Sequence, residues 1–223
     1  MIKTIISILN KIILQFKKNN KDNYSGNFFL VRIKKEKGNI INLTNGSFKK
    51  TFIEISGYGN SIKSTNGLIE HSQIAISGQN NTLYIAENVK LRQANIIIRG
   101  SNCNITIGKS TTFGGVRIVN VGKKNNVEIG KDCLFSDHIE IWASDTHSIF
   151  NSKNEKINKE LPVYIGDKVW VGSRVTILKG TKINDGAIVG MGTIVSKDIP
   201  KKTISVGVPN KVIKENVHWS LEY

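Results

Sequence analysis

Aliphatic residues that recur every six positions constrain the fold of this chain more than any other feature. They run through the C-terminal third of the sequence: Ile165, Val171, Ile177, Ile183, Val189 and Val195. An α-helix does not have this period, because six residues turn it by about 600° and successive members leave the face. Short flat strands that turn every six residues explain the spacing, since each turn directs one aliphatic side chain inward. Three turns close a triangular coil of about eighteen residues, and stacked coils bury a continuous aliphatic column.

The middle of the chain shows the same architecture in a looser form. Short aliphatic pairs such as Ile96 and Ile98 are separated by glycine and asparagine, which tolerate the left-handed backbone of tight corners. Gly100 and Gly122, for example, are 22 residues apart, so each coil here is slightly longer than eighteen. An antiparallel sandwich of short strands is the alternative, but the strict six-residue run argues against it. The sequence therefore predicts an all-β fold, a parallel β-helix over residues 23–209.

Two segments depart from the repeat. Residues 148–162 (SIFNSKNEKINKELP) are polar and charged, which predicts a loop extruded from one coil. The repeat ends at Pro209, and residues 210–223 are predicted to form a short helix or tail that covers the last coil.

The N-terminal segment, residues 1–22, has its apolar residues at helical spacing and predicts an amphipathic basic helix. Lys11 interrupts the apolar run and no small-residue cleavage site follows, which argues against a signal peptide. The run is also shorter than the roughly 20 residues that a membrane span requires. Packing on an anionic membrane surface and packing on protein remain open as alternatives. Either way we expect a cytoplasmic protein, peripheral to the inner membrane face in the first case.

The net charge of +15 favours anionic partners, such as a phosphorylated cofactor, an acidic glycan or a membrane surface. The three tryptophans, five tyrosines and eight phenylalanines are not interleaved with lysine and arginine as a base-stacking surface would require, so we expect no nucleic-acid partner. Cys103 and Cys133 form neither a close pair nor a metal-ligand spacing, which favours free thiols in a reducing compartment.

The segment VYIGDKVWVGSRVTILKGTKINDGAIVGMGTIVSKDIP, followed by VGVPNKVIKE, resembles the hexapeptide-repeat acyltransferases. The resemblance covers about residues 50–215 and is strongest to the subgroup that acetylates galactosides and surface polysaccharides. It implies that the β-helix is left-handed and that the protein is a homotrimer. It also implies active sites in clefts between subunits, with acetyl-CoA in the same cleft and one histidine before an extruded loop as the catalytic base.

His147, in the segment WASDTHSI, matches the position of that base. A sugar hydroxyl has a pKa far above neutral, so its attack on a thioester needs a base, and histidine titrates near working pH. Asp145 is predicted to hold the ring in one tautomer, with a turn-capping role as the alternative. His138 and Trp142 are predicted to line the acceptor pocket, with a plain corner side chain as the alternative for His138. No base adjoins Cys133 in the sequence, so direct transfer in a ternary complex is favoured over a cysteine nucleophile.

The resemblance also assigns residues that bind acetyl-CoA. They are Trp170, Ser173, Met191, Ser196, Lys197, Lys211 and Lys214. Small residues and exposed backbone near Ser173 and Met191 let the pantetheine arm lie against the coil, and lysines suit the CoA phosphates as point charges. For Trp170, packing at a trimer contact is the alternative, and for each lysine the alternative is a solvated surface charge. No metal is expected. The zinc site of a carbonic-anhydrase-like β-helix requires three converging histidines, and the coil sequence offers only His147 and His138 as candidates.

Together these features predict an acetyl-CoA-dependent O-acetyltransferase of polysaccharide biosynthesis. The basic N-terminal segment and the net charge favour a bacterial surface glycan as acceptor, namely a capsule, an O-antigen, a lipooligosaccharide or a sialylated polymer. One alternative is an N-acetyltransferase of a nucleotide-linked amino sugar, which uses the same base. A second alternative is a non-catalytic β-helix scaffold, which leaves WASDTHSI and the C-terminal motifs unexplained.

Overall fold

The computed structural model describes residues 22–222, and this part of the chain is built from β-strands without any helix. The strands, in chain order, are β1 (Asn23–Phe29), β2 (Arg32–Lys35), β3 (Ile40–Lys49), β4 (Phe52–Ile55), β5 (Ser61–Thr65), β6 (Leu68–Glu70), β7 (Gln73–Gln79), β8 (Thr82–Ile85), β9 (Lys90–Arg92), β10 (Ala94–Ser101), β11 (Asn104–Ile107), β12 (Thr112–Phe113), β13 (Val116–Lys123), β14 (Asn126–Ile129), β15 (Leu134–Phe135), β16 (Ile139–Trp142), β17 (Val163–Ile165), β18 (Trp170–Val171), β19 (Thr176–Leu178), β20 (Lys182–Ile183), β21 (Ile188–Val189), β22 (Ile194–Val195), β23 (Ile204–Val206) and β24 (Lys211–Lys214).

These strands form the three faces of a triangular prism. Face A contains β5, β8, β11, β14, β17 and β20, and face B contains β6, β9, β12, β15, β18, β21, β23 and β24. Strands β1 and β3 bend around the edge between faces A and B, so the two faces belong to one sheet. Face C is a separate eight-stranded sheet, ordered β2-β4-β7-β10-β13-β16-β19-β22. Paired strands are parallel except β23 and β24. The predicted parallel β-helix is therefore confirmed, and the coil agrees with the left-handed form.

The strand register confirms that the coils are longer in the middle of the chain. On face C, Val116 pairs with Ile139, 23 residues later, whereas Thr176 pairs with Ile194, 18 residues later. The six-residue run forms the predicted column: Ile165, Val171, Ile177, Ile183, Val189 and Val195 are all at most 3% exposed. The wider middle coils also hold aromatic rings, and Phe113 stacks on Phe135 with centroids 4.4 Å apart. The core thus runs the length of the prism.

Glycine and asparagine shape the edge between faces C and A. Gly100 has a φ of +131°, and a Cβ there would overlap the carbonyl oxygen of Gly122 in the next coil. Beside the glycines, buried asparagine side chains form a ladder, in which the Nδ2 of Asn60 donates to the Oδ1 of Asn39 at 3.0 Å and Asn81 donates to Asn60 at 2.9 Å. This edge explains the Gly and Asn repeat, because only small corner residues allow the coils to approach so closely.

The two predicted terminal helices have different outcomes. The N-terminal amphipathic helix of residues 1–22 lies outside the described residues, apart from Asp22. For residues 210–223 the prediction was a short helix or tail. The helix is wrong, because β24 forms there and residues 215–222 contain no helix, so the described segment is a strand followed by a tail. The last coil leaves the backbone of β23 at the end of a sheet, and antiparallel pairing with β24 satisfies it, as between Ser205 and Val212. Within residues 22–222, no helix is long and apolar enough to cross a membrane.

Candidate active site

The chain leaves the prism at the edge between faces C and A, directly after β16. Ala143 and Ser144 are still buried, and residues 145–149 are exposed. The chain returns to face A at β17, so the predicted extruded loop over 148–162 is present. His147 lies at the neck of this loop with an exposed side chain, and its backbone N–H donates to the Asp145 carbonyl at 2.7 Å. The predicted base therefore stands on the edge of the prism, where an acceptor can reach it.

The Asp145 carboxylate is held by residues other than the predicted partner. Its Oδ2 accepts hydrogen bonds from the Lys179 ammonium and from the Nδ2 of Asn158, the latter at 2.8 Å. The Lys179 hydrogen bond, followed by that of Asn158, holds the pKa of this carboxyl below its ordinary value of 3.8. Among residues 22–222, the Asp145 carboxylate thus makes its hydrogen bonds to Lys179 and Asn158 and not to the His147 ring for which it was predicted. The charged ammonium group of the next coil is the stronger partner.

Asn158 holds the backbone on both sides of His147. Its Nδ2 donates to the His147 carbonyl at 2.7 Å, and its Oδ1 accepts from the Ile149 N–H, also at 2.7 Å. With the bond to Asp145, one amide group connects three points of the loop neck. The side chain is half-buried. Asn158 therefore fixes the direction in which the backbone presents the His147 side chain.

The returning half of the loop is also anchored to the prism. Glu160 pairs with Lys156 at 2.7 Å, and this hydrogen bond lowers the pKa of the Glu160 carboxyl. The Glu160 side chain lies over Gly122, and Leu161 packs where a Cβ on Gly180 would stand, 2.9 Å from its Cδ1. Glycine at both positions leaves room for the loop side chains. The loop is thus fixed at its neck and at its base.

A second polar group lies at the edge between faces B and C. Asp137 accepts a hydrogen bond from the Ser173 hydroxyl, and its Oδ2 is 2.9 Å from the Nδ1 of His138. These two contacts, Ser173 first, lower the pKa of the Asp137 carboxyl. His138 is an exposed corner residue with a φ of +54°. The structure therefore connects a residue predicted to bind acetyl-CoA with one predicted to line the acceptor pocket.

Trp142, the other predicted acceptor residue, lies on the outer surface of face C. Its Nε1 donates to the Oε2 of Glu140 at 2.5 Å, and the Arg117 guanidinium lies 5.0 Å from its ring centroid. The ring is thereby fixed in a half-exposed position, which suits an aromatic surface for a sugar.

The residues predicted to bind acetyl-CoA form two groups. Ser173 and Met191 follow β18 and β21, so they lie one above the other on the B–C edge, and Met191 is 72% exposed. A Cβ on Gly192 would meet open space, so the backbone beside Met191 is accessible. Lys211 and Lys214 are exposed on β24.

Ser196 and Lys197 follow β22, on the C–A edge. Their N–H groups donate to the Oδ1 of Asn210 at 3.0 and 3.1 Å, so Asn210 holds this corner. Trp170 is 39% exposed and packs 6.2 Å from the Trp219 ring of the C-terminal tail. The tail therefore forms part of the surface around Trp170.

The predicted residues are separated by the width of face C. His147 stands on the C–A edge, whereas Ser173 and Met191 stand on the B–C edge. Strand β16, which crosses face C between these edges, has four residues and spans about 13 Å. One protomer therefore does not place the base beside these two residues across its own face.

Four residues that hold these groups in place were not predicted from the sequence: Lys179, Asn158, Asp137 and Asn210. Only the structure reveals the role of Lys179, because the strand register pairs Trp142 with Leu178 and brings the residues after both strands to one edge. Cys133 is buried, which raises the pKa of its thiol to about 11, and within residues 22–222 no three His, Cys, Asp or Glu side chains could hold a metal ion.

Comparison with known proteins relates the sequence and the fold to transferases. The family model of bacterial transferase hexapeptide (six repeats) matches residues 162–197. The chain is 48% identical over 54 residues to the galactoside O-acetyltransferase of Escherichia coli (strain K12), which covers 24% of this chain and 27% of that protein. It is 39% identical over 71 residues to a protein of Staphylococcus aureus (strain COL) described as an acetyltransferase, covering 31% and 36%. These matches span about a third of the length of the curated relatives.

Two solved structures are similar over nearly the whole chain. One is the polySia specific acetyltransferase NeuO, with a TM-score of 0.73, 30% identity, and coverage of 90% of this chain and 87% of that one. The other is the polysialic acid O-acetyltransferase OatWY, with a TM-score of 0.75, 32% identity, and coverage of 90% and 92%.

Proposed function

This chain belongs to the bacterial hexapeptide-repeat transferase family, and on that premise we propose that it transfers an acetyl group from acetyl-CoA to a hydroxyl group of an acidic surface glycan. The observation that carries the proposal is the geometry at His147. Its side chain is exposed on the edge of the prism, while Asn158 fixes its backbone. A base in that position can reach an acceptor without rearrangement of the coil.

In this proposal His147 acts as general base in one direct transfer. It takes the proton from the acceptor hydroxyl as the oxygen bonds to the acetyl carbonyl carbon. It returns the proton to the sulfur when the carbon–sulfur bond breaks, so the proton balance closes within one turnover. The buried, protonated thiol of Cys133 supports transfer without a cysteine intermediate. In this proposal Asp145 and Lys179 hold the loop neck in place and do not take part in the transfer of the hydroxyl proton.

The B–C edge suits the donor. Exposed Met191 and the accessible backbone at Gly192 offer a surface for the pantetheine arm, and Lys211 and Lys214 offer positive charge for phosphate. The acetyl group of the donor supplies the reactive carbonyl, and Ser173 lies on the same edge with its hydroxyl directed to Asp137.

The separation of the two edges supports an assembly in which copies of the chain share an active site. In the homotrimer of this proposal, the C–A edge of one protomer meets the B–C edge of its neighbour, so His147 and the donor come from different copies. Mixing two inactive variants, His147→Ala and Ser173→Trp, is expected to restore activity in hybrid trimers. Mixtures that stay inactive after subunit exchange would place the whole site in one protomer.

The acceptor class rests on charge and on the names of the similar proteins. NeuO and OatWY are described as acting on polysialic acid, and a net charge of +15 favours an acidic polymer. A cytoplasmic location, with residues 1–21 as a basic contact to the inner membrane face, fits such an acceptor and belongs to the same proposal. Flotation of the full chain with anionic and neutral vesicles tests the membrane contact.

The test of the reaction is thiol release from acetyl-CoA in the presence of acidic bacterial polysaccharides. His147→Asn is expected to lower kcat/KM by about 10²- to 10⁴-fold, the usual contribution of a general base. His218→Asn is the matched control, because His218 is exposed in the C-terminal tail. A loss of less than tenfold in His147→Asn would refute the assignment of the base. A product that resists mild alkali would indicate an amide and not an ester.

A further inference from the structure

A groove runs along the B–C edge at the N-terminal end of the prism. It has a volume of about 680 Å³ and is walled by side chains of the first four coils. A second depression of about 250 Å³ continues it and shares Gln93 and Asn95 with it. This second part reaches His138 and Glu140. The two parts form one open channel parallel to the prism axis, which we call the edge groove.

One wall of the edge groove consists of corner residues that repeat once per coil. Leu30, Lys50, His71 and Gln93 all have φ between +44° and +52°. None of them is glycine, although a left-handed backbone favours glycine. The four side chains, one from each of four successive coils, therefore line the groove and are available to a ligand.

The other wall is a column of outward-facing residues in exact strand register on face C. The pairs that build it connect Arg32, Phe52, Gln73, Asn95, Arg117 and Glu140. Parallel strands place these side chains about 4.8 Å apart along the axis. The groove therefore offers a regular series of polar contacts to a ligand that is itself extended and repetitive.

The chemistry of the two walls selects an acidic carbohydrate. The Arg32 guanidinium lies 5.6 Å from the centroid of the Phe52 ring, so this ring, and no carboxylate of residues 22–222, holds it in place. Arg117 is held in the same way by Trp142. Both retain N–H groups for a carboxylate of the ligand, and the amides of Gln93 and Asn95 suit hydroxyl groups. The Glu140 carboxylate accepts the Trp142 N–H and places one negative charge at the His138 end of the groove.

The position of the groove connects it with the proposed reaction. Its inner end is the coil of His138, and on the same edge the next two coils carry Ser173 and Met191. We infer that the edge groove binds an acidic oligosaccharide chain of several sugar units, whose reacting unit lies at the His138 end. This inference rests on the proposed function for the position of the reacting unit, whereas binding in the groove is independent of turnover.

The first experiment measures binding by the full chain without acetyl-CoA. Sialic acid dimer, tetramer and long polymer are the probes, together with a uronic acid polymer and neutral dextran. Affinity is expected to rise with the length of the acidic chains and to be lost with dextran. Acidic polymers that bind no more tightly than their dimers, or no more tightly than dextran, would overturn the inference.

The second experiment uses a pair of matched substitutions. Arg32→Gln removes the cation over Phe52, and Lys63→Gln removes a similar cation, 5.7 Å from the Tyr84 ring centroid, on face A. Arg32→Gln is expected to weaken binding of the long acidic polymer about two- to fivefold, the range of exposed charge contacts. Binding of the dimer should not change, and Lys63→Gln should match the wild type with both ligands.

Three results separate the possibilities. Equal losses in Arg32→Gln and Lys63→Gln would reduce the effect to net charge and overturn the site. Dissociation of the assembly by Arg32→Gln, seen by light scattering, would assign the groove to a contact between copies instead. Length-dependent binding with the expected variant pattern, but without transfer to any glycan, would support the groove and refute the proposed function.

Discussion

The amide of Asn158 offers the sharpest test of how the loop positions the base. Asn158→Leu keeps most of the side-chain volume and removes all three polar contacts, to Asp145, to the His147 carbonyl and to the Ile149 N–H. The prism core is not touched by this change, because Asn158 lies in the extruded loop. We therefore expect an effect on activity without an effect on the melting temperature.

The size of the effect follows from the three hydrogen bonds. Each contributes about 0.5–1.5 kcal/mol net, and a half-exposed site favours the lower part of that range. Their loss therefore weakens the ordered loop neck by about 2 kcal/mol, which corresponds to about 30-fold in the population that presents His147 correctly. A loop neck without these hydrogen bonds rarely presents His147 to the acceptor, so kcat/KM is expected to fall by up to this factor. The shape of the pH profile of kcat/KM should be retained.

Asn151 provides a matched control in the same loop. It also makes three hydrogen bonds, to the Lys153 and Glu155 N–H groups and to the Glu155 carboxylate, but none of them reaches the loop neck. Asn151→Leu is therefore expected to change kcat/KM by less than about threefold. Equal losses in Asn151→Leu and Asn158→Leu would show that any loosening of the loop suffices, and an active Asn158→Leu would refute the positioning role.

Three further outcomes are expected. Gly100→Ala should lower the melting temperature far more than Gly192→Ala, because a Cβ at Gly100 overlaps the next coil. At Gly192 a Cβ meets open space, so alanine there adds only the backbone strain of a left-handed conformation, about 1–2 kcal/mol. Equal shifts in melting temperature would contradict the close contact between coils. The stabilisation from Asp145 is complete above its ordinary pKa of 3.8 and is lost as the pH falls through the lowered folded value. Lys179→Met should therefore reduce stability at neutral pH, and the difference from wild type should vanish in strong acid; a constant difference would exclude the ion pair as its cause. Lys211→Gln should raise the KM for acetyl-CoA about two- to fivefold at unchanged kcat; an unchanged KM would remove it from the donor site.

Much of the architecture was predictable because the β-helix is encoded locally. Each six-residue step contains its own inward side chain, such as Ile177, and its own turn. The repeat can therefore be recognised from the sequence without knowledge of distant contacts. The extruded loop over 148–162 could be predicted for the same reason, because a polar run lacks the aliphatic side chains that the inward positions of the coil require. The sequence left helix and tail open for residues 210–223, because it does not reveal that a sheet edge at β23 requires a partner.

The contacts of the site depended on how the coils stack. Asp145 and Lys179 are 34 residues apart in the sequence. They meet because the loop projects out of the coil, so that Trp142 pairs with Leu178 in the strand register. The sequence by itself determined the coil, the loop and a histidine at its neck, because these depend on neighbouring residues. The tertiary structure decided the partners of Asp145, the placement of His147 and Ser173 on different edges, and the alignment of Arg32 with the edge groove. Those features arise from the register between coils, which no local segment contains.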